Sequence, residues 1–562
     1  MNTPLPSFRN SAADFLPQAL GGIIAAHPEA RWDERGFIAH DAPRPDRPRV
    51  AVISGGGSGH EPLHAGFLGT GMLSAVCPGL LFTSPNAVQI TEATRWADQG
   101  AGVLHVVKNY TGDVMNFRVA RQALSTVPTR EVRVAEDVAT EGTGDGPGRR
   151  GTAATILVEK IAGAAAQRGD TIDAVADLAQ WVADNSRSMA VALAPGHLPT
   201  TGEQTFNLGE GEMEVGVGIH GERGTSREQA APAAEIVERL LGSVADSLDL
   251  HEGEEVILLF NGLGGTSSLE LHLLLGEALN WLAQRGIIVR RNLVGNYVTS
   301  VNMAGASLTL SRATSEIIDL IDAPTTAPAW PQRISDKAHC EPARLHAEDT
   351  LPTEGAENTW LSGFVRRVQE GSGHLTELDR LAGDGDFGTN MEAALVDIAL
   401  PLRGPNPEVL DGLSRRFLIR SGGTSGAVLG TLFRELAAAL REEDSPAGLA
   451  TGLDRACAAI AELGGAQRGD GTLLDALLPA AEAVAGVVGG VATGSDGAGG
   501  ASGSVSEAEW EEALAAAHRA AEEGAESTRN MTAKKGRASY VGEASKGVID
   551  PGALLVAWVF GE

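Results

Sequence analysis

The feature that most constrains this chain is a change of texture just past its midpoint. Up to Asp322, short apolar runs ending in glycine alternate with apolar helical patterns. RVAVISGGG (49–57), GVLHVVKNY (102–110), EEVILLFNGLGG (254–265) and IIVRRNLVGNYVTS (287–300) are runs of the first kind. TAATILVEKIAGAAAQRG (152–169) and SSLELHLLLGEALNWLAQRG (267–286) are of the second. Strand, glycine loop, helix is the pattern of α/β layers. From residue 356 onward, Ala- and Leu-rich amphipathic patterns such as AVLGTLFRELAAALREE dominate and strand-like alternation nearly vanishes, which predicts a helical bundle. Between the two lies DAPTTAPAWPQRISDKAHCEPARLHAEDTLPTEG (322–355), rich in proline and without apolar period, which reads as a linker. The expected organisation is an α/β domain over 1–322, made of two α/β subdomains meeting near residue 190, a linker over 323–350 and an all-helical domain over 351–562. GGVATGSDGAGGASGSVS (489–506) reads as a Gly/Ser loop without chemistry of its own.

Composition narrows the partners. Lys and Arg number 44 against 73 Asp and Glu, a net charge of −29, and no basic cluster with interleaved aromatics occurs, so no nucleic-acid partner is expected. No apolar run reaches the roughly 18 residues of a membrane span. The N-terminal MNTPLPSFRNSAADF lacks the basic-then-apolar order of a secretory leader. Cys77, Cys340 and Cys457 are scattered, which argues against a disulfide framework or a cysteine zinc site and for a reducing, cytoplasmic setting.

In the first half, SGGGSGHEP (54–62) invites a phosphate-loop reading and fails it. A G-x-G-x-x-G frame begun at Gly55 meets His60 in place of the third glycine, and no Gly-Lys-Ser/Thr follows. The glycines still imply close backbone approach, with His60 beside it. In VVKNYTGD (106–113), Lys108 and Asp113 follow an apolar strand, where α/β sheets place ligands. In GEMEVGVGIHGE (211–222), His220 stands between Gly218 and Gly221. Each alone is readable as a turn or a structural histidine; together they describe one small polar pocket.

These three motifs, in this order and spacing, resemble the substrate-binding half of the dihydroxyacetone kinase family. The resemblance implies that His220 forms a covalent hemiaminal with a ketone carbonyl. It implies that Gly57, Ser58, Gly59 and His60, with Lys108 and Asp113, hold the hydroxyls, and that His60 is the general base assisted by Asp113. The chemistry is physically sound: neutral imidazole is nucleophilic near pH 7, and its adduct stops at the hemiaminal because the ring nitrogen has no second proton to lose.

In the second half, LDRLAGDGDFGTN (378–390) sets Asp379, Asp384 and Asp386 around a glycine break at Gly383. Three converging carboxylates call for a cation, and hard oxygens suit Mg²⁺. SGGTSGA (421–427) opens a helix in a manner suited to phosphate oxygens; AKKGRASYVGE (533–543) and VIDPGA (548–553) add a cation and a tight turn. In isolation these are equally readable as helix caps. Together they resemble the nucleotide-binding half of the same family. The resemblance implies a barrel of about eight helices holding ATP and two Mg²⁺ ions. Asp379, Asp384 and Asp386 would be the metal ligands. Phe387, Gly388, Thr389, Asn390, Thr424, Ser425, Gly465, Arg537, Asp550, Pro551 and Gly552 would surround the nucleotide. The chain departs from the family pattern at Phe387, where His or Cys is usual, at Gln467 in place of Lys, and at Gly471 in place of a basic residue.

The resulting expectation is an ATP-dependent dihydroxyacetone kinase, a homodimer with a small ketose as its substrate. Its alternatives are a kinase for erythrulose or glyceraldehyde, a flavin-dinucleotide cyclising lyase, and a ketose-binding regulator or phosphotransferase-system subunit.

Overall fold

The computed structural model describes residues 7–42, 46–142, 148–345, 347, 350–382, 385–494, 506–540 and 542–561. Asp384, Gly383 and most of the Gly/Ser-rich loop lie outside the described residues. The chain divides into two units, Met1–Pro342 and Ala343–Glu562.

Two six-stranded sheets build the first unit. One contains β1 (Ala30–Asp33), β2 (Phe37–His40), β3 (Ala51–Ser58), β4 (Ala75–Leu81), β5 (Val103–Lys108) and β6 (Thr129–Val134), in the order β1-β2-β4-β3-β5-β6. Its β4-β3-β5-β6 part is parallel, and β1 and β2 add an antiparallel edge. The other contains β7 (Ser186–Ala194), β8 (Glu212–Val215), β9 (Ser226–Gln229), β10 (Glu255–Gly262), β11 (Ile288–Gly295) and β12 (Ala304–Arg312), in the order β11-β10-β12-β7-β8-β9, with β10 and β11 parallel and the remaining pairs antiparallel.

The helix Ala154–Arg168 is buried at every residue from Ala154 to Ala166, Glu159 and Lys160 included. Its core cluster takes side chains from both sheets, Val52 and Leu104 from the first, Ile257 and Leu259 from the second. This helix therefore fastens the two subdomains together.

Two local readings change. The glycines after the first apolar run form part of a strand: β3 runs on through Gly55, Gly56 and Gly57 to Ser58, fully buried. The reason is steric, since a Cβ at Gly55 would lie 2.5 Å from the Cys77 carbonyl oxygen and one at Gly57 2.6 Å from the Thr83 nitrogen. The proline-rich stretch also begins later as a linker than its composition indicates. Ala327 and Trp330 are buried in the first unit, and the Lys160 ammonium donates to the Leu320 carbonyl at 2.7 Å.

The second unit is all helical among its described residues. Its helices are Thr359–Ala382, Phe387–Leu395, Asn406–Arg420, Gly423–Glu442, Pro446–Gly464, Leu474–Gly494, Glu507–Thr528 and Pro551–Phe560. Helices adjacent in sequence pack on one another, and the last returns onto the first. One apolar cluster, including Phe364, Phe417 and Phe433, fills the space between them. Among the described residues no helix is long and apolar enough to cross a membrane.

Candidate active site

In the first unit, His60, Lys108, Asp113 and His220 come together at the ends of β3, β5 and β8. His60 lies just beyond β3 in a turn made possible by Gly59, whose φ is +103°. That turn is tied to the second sheet: the Val301 N–H donates to the Gly59 carbonyl at 2.8 Å and the Thr299 N–H to the His60 carbonyl at 3.2 Å. Asn261, at the end of β10, holds the same segment by accepting from the N–H groups of Tyr297 and Val298 at 2.9 and 2.8 Å.

The His60 ring is fully buried, and its Nδ1 lies 2.8 Å from the Thr299 carbonyl oxygen. A carbonyl only accepts, so Nδ1 carries the proton and Nε2 keeps its lone pair. Nε2 is buried without a hydrogen-bond partner. Burial, then the charges of His220 and Lys108, hold this imidazole well below its ordinary range. It is a neutral ring with one bare nitrogen.

His220 sits in a half-buried turn, its ring centroid 4.7 Å from that of His60, with Phe82 at 5.4 Å and Tyr110 at 4.6 Å, each edge-on. Glu222 holds the turn from behind, accepting from the His220 backbone N–H at 2.9 Å and lying 3.1 Å from His220 Nδ1. Burial alone would raise the Glu222 carboxyl, but the His220 hydrogen bond and the charges of His220 and Arg150 outweigh it and bring the group down to about 2. An ionised Glu222 makes Nδ1 the donor and leaves the lone pair on His220 Nε2. A side chain at Gly218 would meet Glu222 Oε2 at 1.9 Å, so this glycine is required for the dyad to form.

Lys108 and Asp113 form a buried ion pair at 3.7 Å, and Asp113 Oδ1 has no hydrogen-bond partner. The Ser58 hydroxyl donates to the Gly79 carbonyl at 2.8 Å. Sequence reasoning missed Glu222, Phe82, Tyr110 and Thr299. A carboxylate two residues beyond a glycine-flanked histidine is a readable signal for the first, and Tyr110 stands two residues from Lys108 in the same motif; Phe82 and Thr299 are assembled only by folding.

In the second unit a cavity is lined by Asp379, Asp386 and Phe387, by Thr424 and Ser425 in the first turn of Gly423–Glu442, and by Asp550, Pro551 and Gly552 at the start of Pro551–Phe560. Val428, Leu429 and Ile460 make its apolar side. Asp379 Oδ2 accepts from the Phe387 N–H at 3.0 Å, bridging the break between two helices. Asp550 caps the final helix, accepting from the Ala553 N–H at 2.7 Å, while its own N–H donates to Thr528 at 2.9 Å. Burial pushes the Asp550 carboxyl up to about 7, opposed by the Ala553 N–H and reinforced by the charges of Asp475 and Asp379.

Gly388, Thr389, Asn390 and Gly465 do not line this cavity. Gly388 is a packing position, where a Cβ would lie 2.0 Å from Thr376 Oγ1 and 2.4 Å from the Ser372 carbonyl oxygen. Gly465 ends the helix Pro446–Gly464 in the left-handed conformation. The Arg537 side chain lies outside the described residues; Lys535, which sequence reasoning passed over, is on the cavity wall. Gly471 lines the wall as well, with φ +70°. Among the described residues no three His, Cys, Asp or Glu side chains are grouped to hold a metal.

The fold and these sites define a two-unit protein, one α/β unit with a small pocket built on paired histidines and one helical unit with a cavity that carries three aspartates. Residues 21–329 match the Dak1 domain and residues 381–562 the DAK2 domain. The chain is 36% identical to triokinase/FMN cyclase of Rattus norvegicus, over 98% of this chain and 97% of that protein. It is 32% identical to L-erythrulose 1-kinase of Mycolicibacterium smegmatis, over 98% and 97% respectively. The crystal structure of the dihydroxyacetone kinase of C. freundii in complex with AMP-PNP and Mg²⁺ superposes with a TM-score of 0.63 at 29% identity, over 99% of both chains. The chain belongs to the dihydroxyacetone kinase family.

Proposed function

We propose that this protein transfers a phosphoryl group from ATP to a hydroxyl of dihydroxyacetone held covalently on His220. The observation that carries the reading is the His60–His220 pair: two rings 4.7 Å apart, one backed by a carboxylate and the other with a bare, buried Nε2. His220 Nε2 adds to the carbonyl carbon, the C=O π bond opens onto oxygen, Nδ1 passes its proton to Glu222, and that oxygen takes one proton from water as Glu222 returns one to solvent. The tether fixes a substrate too small to be held by many contacts. His60 Nε2 then takes the proton of the reacting hydroxyl, while Lys108 and Asp113 orient the hydroxyls.

The helical unit supplies the donor site. Its carboxylates are hard oxygen donors of the kind magnesium prefers, and Asp379 and Asp386, together with Asp384, would hold the ion. Bound magnesium would neutralise charge on the transferring phosphate. The apolar wall at Val428, Leu429 and Ile460 suits a base, and Thr424 and Ser425 at a helix N-terminus suit phosphate oxygens. We further propose a homodimer as the working assembly.

The test is ADP release in the presence of three- and four-carbon carbonyl sugars, with glycerol as control. Dihydroxyacetone should be turned over and glycerol essentially ignored, since glycerol offers no carbonyl to His220. Absence of ADP release with every ketose, or comparable use of glycerol, overturns the reading. A four-carbon ketose is the second reading, favoured by the similarity to the mycobacterial L-erythrulose 1-kinase. Similarity to the rat triokinase/FMN cyclase makes flavin-dinucleotide cyclisation in the helical unit the third. The same panel, extended to that dinucleotide, separates them.

A further inference from the structure

Behind the ketone pocket runs a line of buried polar groups, two of which the proposed chemistry leaves idle. Glu159 comes from the middle of the helix Ala154–Arg168, His64 from the turn beyond His60, Lys108 from the end of β5 and Asp113 from the first turn of the helix Thr111–Gln122. Glu159 Oε1 is 2.6 Å from His64 Nδ1, His64 Nε2 is 2.8 Å from Lys108 Nζ, and Lys108 Nζ is 3.7 Å from Asp113 Oδ2. No side chain in the line is more than 4% exposed. Burying such groups is costly unless each hydrogen bond is matched, so the order of donors matters.

That order follows from the acceptors. An ionised Glu159 accepts the hydrogen bond of His64 Nδ1–H, which leaves Nε2 bare, so Lys108 must donate to it. Lys108 donates a second time to the Gly55 carbonyl at 3.1 Å. Its third N–H is left for Asp113. The ammonium is seated where only glycine permits: a Cβ at Gly56 would lie 2.1 Å from Nζ. We propose that His64 and Glu159 form a positioning dyad that fixes the Lys108 ammonium from behind and directs its remaining N–H to Asp113 on the ketone pocket. The proposal rests on the kinase reading above.

The groups facing Lys108 are His64, His60, Asp113 and the Gly55 carbonyl, with Glu159 one ring further back. Burial works against a charged Glu159 and pushes its carboxyl up to about 8, while the Ser54 hydroxyl and the Lys108 charge pull it down. Ionised Glu159 and charged Lys108 therefore support one another. Because the folded value is raised, the ionised dyad gains population as pH rises and is lost as pH falls.

Glu159→Gln keeps the shape and removes the charge. It is expected to lower kcat for ketose by about a hundredfold above pH 8, where Glu159 is ionised, the scale of a misplaced positioning group, with KM for MgATP unchanged. Wild-type kcat should carry an acid limb, falling as pH drops, that Glu159→Gln no longer shows. Glu159→Asp should restore part of the rate. A readout independent of turnover is the low-field imidazole N–H proton resonance of His64 in the full chain, present in the wild type and absent in Glu159→Gln. The proposal is overturned if Glu159→Gln keeps the wild-type rate and pH profile, if it loses rate with the acid limb intact, or if the wild type lacks the resonance. A wild type inert toward every ketose overturns the kinase reading instead, and the resonance still decides whether the dyad exists.

Discussion

His60 and His220 lie in one pocket but in opposite electrostatic settings, and their variants should differ accordingly. On the proposed reading His220 is the nucleophile, so protein mass spectrometry should find a covalent ketose adduct on the wild type and none on His220→Ala, which should also lose most of the preference over glycerol. His60→Ala should retain adduct and lose turnover, because it removes the proposed base and leaves the tether. Glu222→Gln should fall between, with less adduct at neutral pH. Its effect on stability has a definite sign. The folded carboxyl lies near 2, below its unfolded value, so it stabilises the fold above the unfolded value and ceases to do so as pH falls toward 2. The difference in melting temperature between wild type and Glu222→Gln should therefore be full at neutral pH and shrink progressively in acid. Among the carboxylates of the helical unit, Asp386→Asn should cut turnover by about a hundredfold, and chelation of divalent cations should abolish it; full activity in excess chelator would remove the metal from the proposal.

At the scale of elements, the glycines separate into those that make room for chemistry and those that make room for a neighbour. Gly388→Ala drives a methyl group against the Ser372 carbonyl and should destabilise the helical unit by about 1–3 kcal/mol, measured by denaturant unfolding, with MgATP affinity retained in the folded fraction. Motif reasoning placed Gly388, Thr389 and Asn390 beside the nucleotide because they share a motif with Asp386; in the structure only the first residue of that helix, Phe387, reaches the cavity wall. The two-layer and all-helical character of the halves was legible from period alone. Strands such as β4, with Pro78 and Gly79 inside it, and β12, rich in Ser and Ala, were not, because their identity depends on neighbouring strands more than on β-formers. Lys108, Asp113 and His220 were legible through the glycines around them. His64 and Glu159 were not, since they stand 95 positions apart and their pairing exists only in the folded core.

For the whole molecule, the boundary at Pro342 makes a prediction about cutting the chain. A fragment 1–342 should bind ketose without hydrolysing ATP. A fragment ending at Asp322 loses buried Ala327 and Trp330 and should melt at lower temperature. Acid should also act on this unit early. His60, His64 and His105 are buried and held neutral by burial first, His105 down to about 3. Unfolding frees all three to bind protons, so stability should fall as pH drops below roughly 6.5, the ordinary histidine value, by up to about 4 kcal/mol per pH unit. Thermal melts between neutral pH and mild acid check this.

The turn that carries His60 belongs to the first sheet by sequence and to the second by its hydrogen bonds, through Thr299 and Val301. Local fraying of one sheet edge would thus disarm a residue carried by the other. In amide hydrogen exchange, Thr299 and Val301 should open together and more slowly than the exposed ends of their own loop, and a bound ketose should slow both at once. Exchange at two backbone positions in the second sheet's loop would then serve as a clock for how often His60, the proposed base, leaves its post.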